Sequence, residues 1–276
     1  MSQNTIPVFV VGSGRSGTRM IYKLLSGLNG IEIHHEYFIS TIQPLAAKYY
    51  MGLISRKAIL AVLKNSYASA VYYSPAKYWI DCSNKLSWLI EPLSMLFPES
   101  KFVHIIRDGR KVASSFYHKL PFEMYDDKSV QILQNWLVDN KLPEPPPEKK
   151  YWWNIPRQDQ PYYKEFKGYN QFQRICYHWV EILRVIKESL KTIPDNRKLI
   201  VKLEDLVRNR QTFKKFLDFV EVDYQEQLYR YTQTPQNVIM PVDFKMTPIE
   251  SKMFKDICAK TMKEYGYKGK EYEVRY

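Results

Sequence analysis

The chain begins its order with an unbroken apolar run, Val8 to Val11, that stops at Gly12. Small residues follow. Apolar side chains then return at Met20, Ile21, Leu24, Leu25 and Leu28, at spacings of one, three and four. A continuous run suits a strand buried on both faces, and the later spacing is that of an amphipathic helix. Residues 8–28 therefore read as strand, tight turn, helix. Ile31 and Ile33 predict a short strand, expected beside the first, with His34, His35 and Glu36 just past its end. Residues 41–73 read as two helices, the second clearest from Ala58 to Val71. Tyr78 to Ile80 predicts a short strand, and Ser87 to Leu96 a helix that Pro98 stops. Phe102 to Ile106 is a second buried strand with a helix behind it. Later come a long helix from Gln171 to Leu190, a strand from Leu199 to Leu203, and helices at Phe213 to Val220 and Pro248 to Tyr265. The alternation predicts an α/β fold, a central parallel sheet flanked by helices.

Between about Leu120 and Tyr169 the periodicity dissolves. Pro145, Pro146 and Pro147 are consecutive, and Trp136, Tyr151, Trp152, Trp153, Tyr162 and Tyr163 crowd the stretch. Flexible linkers are poor in aromatics. The stretch is expected to be an ordered insertion, at about 120–170, in a single domain spanning 1–276. Two readings stay open: a lid or acceptor platform, and a structural excursion packed on the core.

The turn after the first strand, Gly12-Ser13-Gly14-Arg15-Ser16-Gly17-Thr18-Arg19, combines three glycines, three hydroxyls and two arginines. Glycines let backbone N–H groups turn inward, and the new helix adds its unpaired N–H groups and positive end. That is a cradle for an anion, most often a phosphate. The Walker loop places a lysine and a magnesium-binding hydroxyl after its last glycine. Here Thr18 and Arg19 stand in those positions, and the basic side chain has moved into the loop at Arg15. A metal-assisted nucleotide hydrolase is disfavoured. At the second buried strand, Arg107 lies at the carboxyl end, where open α/β sheets bind ligands. Asp108 can cap the next helix, and Ser115 lies eight residues beyond Arg107.

The net charge is +12, from 41 basic and 29 acidic residues, and favours an anionic partner. The charge is dispersed, with no block of five consecutive basic residues. Cys82, Cys176 and Cys258 are odd in number and far apart, which suggests reduced thiols and a cytoplasmic compartment. No C-x-x-C or H-x-x-x-H pair marks a metal site. No segment approaches the roughly eighteen apolar residues that span a membrane.

Taken together, these residues resemble the sulfotransferases that use 3′-phosphoadenosine 5′-phosphosulfate, closest to bacterial and carbohydrate-type members. Gly12 to Thr18 resembles the family's 5′-phosphosulfate loop, and Arg107 to Ser115 its 3′-phosphate motif. Trp179, Val201 to Leu206, Met246 to Glu250 and Tyr265-Gly-Tyr267 have counterparts in order. The resemblance implies a P-loop-like sulfotransferase fold and a donor bound without metal, released as 3′,5′-diphosphoadenosine. It implies that Ser13, Gly14, Arg15, Ser16, Gly17, Thr18 and Arg19 hold the 5′ end, with Arg15 neutralising charge on the bridging oxygen. Arg107 and Ser115 would hold the 3′-phosphate, and Lys245 or Lys252 would close over the donor. One departure stands out. Relatives carry an acid, a lysine and a hydroxyl residue where this chain has Asp81, Cys82 and Ser83, so the lysine's role is vacant or falls to Lys85.

Transfer to a hydroxyl acceptor (carbohydrate, lipid or small alcohol) requires a base. Glu36, just past the second strand, is the expected base, and His35 is the alternative. No nucleic acid is expected as partner. Two other functions fit less of the chain: a nucleotide kinase with a degenerate phosphate loop, and a non-catalytic module binding adenine nucleotides or glycans.

Overall fold

A computed structural model describes residues 5–139, 141–234 and 246–269. Five strands form one parallel sheet: β1 (Ile6–Gly12), β2 (Ile31–His35), β3 (Tyr78–Cys82), β4 (Lys101–Ile106) and β5 (Lys198–Lys202). Their order is β2-β3-β1-β4-β5. The helices are α1 (Thr18–Leu25), α2 (Ile39–Tyr50), α3 (Arg56–Tyr72), α4 (Ile90–Leu96), α5 (Gly109–Lys119) and α6 (Asp127–Val138). After them come a single turn α7 (Tyr163–Phe166), the long α8 (Gln171–Ser189), α9 (Leu203–Arg208), α10 (Arg210–Phe219), α11 (Glu226–Gln233) and α12 (Pro248–Glu264). This is the expected α/β architecture, a central parallel sheet flanked by helices.

The apolar run of β1 is continuous because both of its faces are covered. Val8 and Val10 point into one core with Ile80, Val103, Val201, α1 and α10. Phe9 and Val11 point into the other, with Trp79, Phe102, α3, α5, α8 and α12. The second core is the larger. It also takes in Tyr125, Trp152, Trp153 and Phe166 from the aromatic stretch, all of them buried.

That stretch contains a helix that its periodicity did not announce. Asp126 caps α6 by accepting from Ser129 N at 3.0 Å, and only Ser129, Val130 and Leu133 of the helix are buried. So narrow a buried stripe gives a weak pattern. The proline-rich tip is tied down by polar bonds. Gln43 Nε2 donates to the carbonyls of Lys149 and Trp152, each at 2.8 Å, and Trp152 Nε1 donates to Pro146 O at 2.7 Å. Lys48 pairs with Glu144 at 2.6 Å.

The second strand is not the neighbour of the first. β3 stands between them, with Val10 opposite Cys82 on one side and His35 opposite Cys82 on the other. The β2–β3 and β1–β3 pairings bury the Tyr78–Cys82 strand completely, while β2 is only half-buried along its length, as an edge strand is. The chain after β3 therefore stands closer to the phosphate-type loop than the chain after β2.

Gly109 opens α5 where Trp179 of α8 crosses it. A Cβ there would lie 2.9 Å from three atoms of the indole. Helix propensity alone favours alanine at such a position by about 1 kcal/mol. The contact outweighs that, so Gly109→Ala is expected to lower stability by roughly 1–3 kcal/mol in urea unfolding. An unchanged or raised midpoint would mean that the indole gives way at little cost.

Candidate active site

All five strands end on one edge, and their ends carry the polar residues of the candidate site. Beyond β1 the loop is pinned by Ser87, whose hydroxyl accepts from Gly12 N and donates to Gly12 O, each at 3.0 Å. Gly14 and Arg15 take left-handed backbone angles, φ 75° and 52°, and Gly17 has φ 113°. Successive residues of this kind turn N–H groups into a common concavity. A side chain at Gly14 would also lie 2.7 Å from the Asn84 amide nitrogen and 2.8 Å from Phe116. Thr18 then opens α1, whose first N–H groups have no side-chain cap from Gly17. Among them Ser16 Oγ is buried with no hydrogen-bond partner among the described residues. A buried hydroxyl and a ring of N–H donors suit an oxyanion.

The second motif adjoins the first. Arg107 is buried at the end of β4, and its NH1 donates to Arg15 O at 2.8 Å. Arg15 Nε donates to Ser115 Oγ at 2.9 Å. Asp108 caps α5 through Arg110 N at 2.9 Å. The turn is clamped from two sides. Trp179 Nε1 donates to Arg107 O at 3.2 Å, and Asp108 N donates to Glu204 Oε1 at 3.0 Å. Glu204 itself takes a bond from the Tyr267 hydroxyl at 3.0 Å. Arg15, Arg107 and Ser115 thus form one surface, from residues a hundred positions apart in sequence.

Glu36 follows β2 with a left-handed φ of 58°, a conformation that costs free energy for a non-glycine residue. Two bonds hold it there. Glu36 N donates to Cys82 O at 3.3 Å, and Tyr37 N donates to Asp81 Oδ1 at 3.3 Å. The Glu36 carboxylate is paired with the Lys149 ammonium from the proline-rich tip. Burial pushes this carboxyl up. The charges of Lys149, His35 and Lys85 outweigh that and hold it below the usual range. His35 faces the Tyr22 ring at 5.8 Å, and burial lowers its pKa, helped by the positive charge of Arg19 and Lys149. Arg19 itself is exposed on α1. Lys245 lies outside the described residues, and Lys252 is exposed on α12.

Sequence reasoning missed three groups here. Asn84 touches the loop at Gly14. His178 of α8 donates from Nε2 to Ser13 O at 3.2 Å, because a carbonyl can only accept, and burial keeps the ring neutral with a pKa near 3. Glu204 supports the Arg107 turn. His178 sits inside the apolar pattern of α8, and Asn84 stands between Ser83 and Lys85 in a short polar stretch, so neither gave a signal that it would meet the loop. Cys82 is fully buried in the smaller core, and burial pushes its thiol up, so it supplies no positive charge in place of a lysine.

Residues 7–142 match the model of the sulfotransferase family. The solved sulfotransferase domain of the Synechococcus PCC 7002 olefin synthase aligns with 97% of this chain and 97% of its own length, at 16% identity and a TM-score of 0.51. The chain has a sulfotransferase-family fold. A sulfotransferase from Mycobacterium avium aligns with 96% of the chain and 78% of its own, at 10% identity and a TM-score of 0.51. No curated protein sequence matches. Among the described residues of this sulfotransferase fold, no helix is long and apolar enough to cross a membrane, and no group of His, Cys, Asp and Glu is arranged to hold a metal ion.

Asp81, which anchors the chain beside Glu36, also accepts from the Tyr67 hydroxyl at 2.9 Å. Burial raises its pKa to about 7. A carboxyl raised in the fold stabilises below its unfolded pKa and loses that contribution as pH rises through the folded value. Against Asp81→Asn, the unmodified protein is expected to lose on the order of 2–4 kcal/mol between pH 4 and pH 8. Parallel stability curves for the two proteins would show that Asp81 stays ionised in the fold.

Proposed function

We propose that this protein transfers a sulfuryl group from 3′-phosphoadenosine 5′-phosphosulfate to a hydroxyl acceptor. One observation carries the reading: the N–H cradle after β1 and the Arg107–Ser115 turn after β4 share hydrogen bonds through Arg15. A donor with anionic groups at both its 5′ and 3′ ends matches such a double site. The N–H groups of Gly14 to Thr18, with the hydroxyls of Ser13, Ser16 and Thr18, bind the 5′ end. Arg107 and Ser115 take the 3′-phosphate. Arg19 adds positive charge at the rim, and Lys245, outside the described residues, is the donor-closing charge that the family resemblance implies. Positive charge from arginines and backbone dipoles does the work a metal does in many phosphoryl transfers.

The donor brings the activated sulfuryl group. Arg15 swings from Ser115 to meet the charge that gathers on the leaving oxygen, so its contribution is larger in the transition state than at binding. Glu36 takes the proton of the acceptor hydroxyl, and Lys149 keeps it ionised until then. His35 is the alternative base. The aromatic stretch of 120–170 supplies the acceptor side, because its tip meets Glu36 through Lys149. The acceptor is a hydroxyl of a carbohydrate, lipid or small alcohol, not a nucleic acid. Three unpaired buried cysteines suit a reducing, cytoplasmic setting within one domain of 1–276.

Thermal shift tests the donor. 3′,5′-Diphosphoadenosine at about a hundred times its dissociation constant should add roughly 2.7 kcal/mol, while AMP and ATP with magnesium add far less. In Arg107→Ala the preference for the 3′-phosphate should vanish. Equal stabilisation by AMP would overturn the assignment, and a magnesium-dependent shift with ATP would point to a kinase.

The base is tested by rate against pH. Glu36→Gln should lose roughly 100-fold in turnover with donor affinity nearly unchanged. Lys149→Met removes the charge that holds the carboxyl low, so burial then dominates and the acid limb of the profile moves to higher pH. Near-full activity of Glu36→Gln beside an inactive, folded His35→Ala would transfer the role to the histidine.

A further inference from the structure

Helix α12 stops in a way that delivers one side chain. Gly266 takes a left-handed φ of 69°. Its N–H donates to Lys263 O at 3.1 Å, and Tyr267 N donates to Met262 O at 2.9 Å. This pair of bonds is the stop that a glycine just past a helix makes. The chain turns back there, and Tyr267 enters the protein, 4% exposed, with Lys202 Nζ from the end of β5 lying 4.9 Å from its ring. Such a stop asks only for an apolar residue at this place. The hydroxyl is surplus to it, and donates to Glu204 Oε2 at 3.0 Å. Burial, and next the charge of Glu204, pushes the hydroxyl's pKa far up, so it stays a donor.

Glu204 passes this contact on. The residue is 1% exposed, and its Oε1 accepts from Asp108 N at 3.0 Å. The carbonyl of the same peptide unit, Arg107 O, accepts from Trp179 Nε1 at 3.2 Å. Both polar groups of the Arg107–Asp108 peptide are thus held by side chains, one from α8 and one from α9. That peptide joins the two halves of the second motif. Arg107 follows β4 on one side of it, and on the other Gly109 opens α5, the helix that carries Ser115. A tilt of the peptide would swing Arg107 against Ser115. Burying a carboxylate is costly, and an apolar side chain of similar size often serves stability as well or better. What the acid does that an apolar residue would not is hold a backbone N–H and a phenol at a fixed separation.

We propose that Tyr267 is a positioning residue for the 3′-phosphate of the donor. Through Glu204 it fixes the Arg107–Asp108 peptide, and with it the place of Arg107 relative to Ser115, so that both meet one phosphate. This rests on the donor reading above. Tyr267 itself touches no part of the donor, and its effect is confined to the 3′ end.

Calorimetry on the full chain tests this with 3′,5′-diphosphoadenosine and AMP. Tyr267→Phe keeps the ring and removes the hydroxyl. The variant should bind the diphosphate roughly five- to tenfold more weakly, with AMP affinity within about twofold of the unmodified protein. In an Arg107→Ala background the same change should cost the diphosphate less than about twofold, because the group being positioned is gone. Glu204→Met removes the middle of the relay and should show the same selective loss, so the test stands even where Tyr267→Phe does not fold. Glu204→Gln can pair with both neighbours through its amide and should keep most of the preference for the diphosphate. Equal weakening of both nucleotides, or a Tyr267→Phe loss that repeats in full beside Arg107→Ala, would assign the pair a structural role and overturn the proposal. Unchanged affinity for the diphosphate in Tyr267→Phe and Glu204→Met would overturn it while leaving the donor reading intact. If the unmodified protein does not prefer the diphosphate to AMP, the 3′-phosphate reading falls, and the role of Tyr267 falls with it.

Discussion

Parallel pairing in the order β2-β3-β1-β4-β5 is the constraint on which the rest of the molecule depends. Parallel strands all end on the same edge, so five chain reversals must crowd together there. Each reversal exposes backbone groups that the ladder no longer satisfies, and polar side chains converge to meet them. Ser87 serves Gly12, Trp179 and Glu204 serve the turn at Arg107, and Asp81 serves the turn at Glu36. The same convergence that satisfies the reversals also assembles the candidate site. Its lateral order is inherited from the sheet: acid after β2, lysine after β3, cradle after β1, arginine after β4.

Burial then sets the protonation of these groups. Burial raises the Asp81 carboxyl and lowers the Lys85 ammonium, each to about 7, while His178 is held neutral. Glu36 escapes that trend because Lys149 reaches it from more than a hundred residues away in sequence. Acid, base and cation are tuned here by which core helix or loop tip presses on the edge. The larger core does most of this pressing, since it carries α8, the 3-10 turn after β3 and the aromatic stretch.

The sheet was legible because its strands are buried on both faces and so appear as plain apolar runs. The phosphate-type loop and the Arg107–Ser115 motif were legible because glycine, hydroxyl and arginine at fixed spacing have few other uses. Strand order was not legible, and so Glu36 was expected nearer the loop than it lies. α6 escaped notice because three residues are all it buries. His178 escaped because it sits in the apolar pattern of α8, and Glu204, though inside the Val201 to Leu206 counterpart, gave no sign of its role because it acts only on a turn far away in sequence. Lys85 was visible as a lysine near a vacancy. Its burial against Trp153 depends on a stretch whose packing no periodicity announced.

The clamp on the Arg107 turn has a bearing on how the chain reaches this arrangement. Asp108 is bonded to Glu204, ninety-six positions later. The cradle after β1 closes with Ser87, seventy-five positions away, through strands that form among the first half of the chain. Closing the longer loop costs more chain entropy, and β4 must wait for β5 with the whole aromatic stretch between them. The two halves of the anion site therefore have different histories during synthesis. The cradle has Ser87, Asn84 and Phe116 beside it once residue 116 has emerged and gains His178 with α8, whereas the arginine turn is secured only after Glu204 has left the ribosome and the last strand has docked.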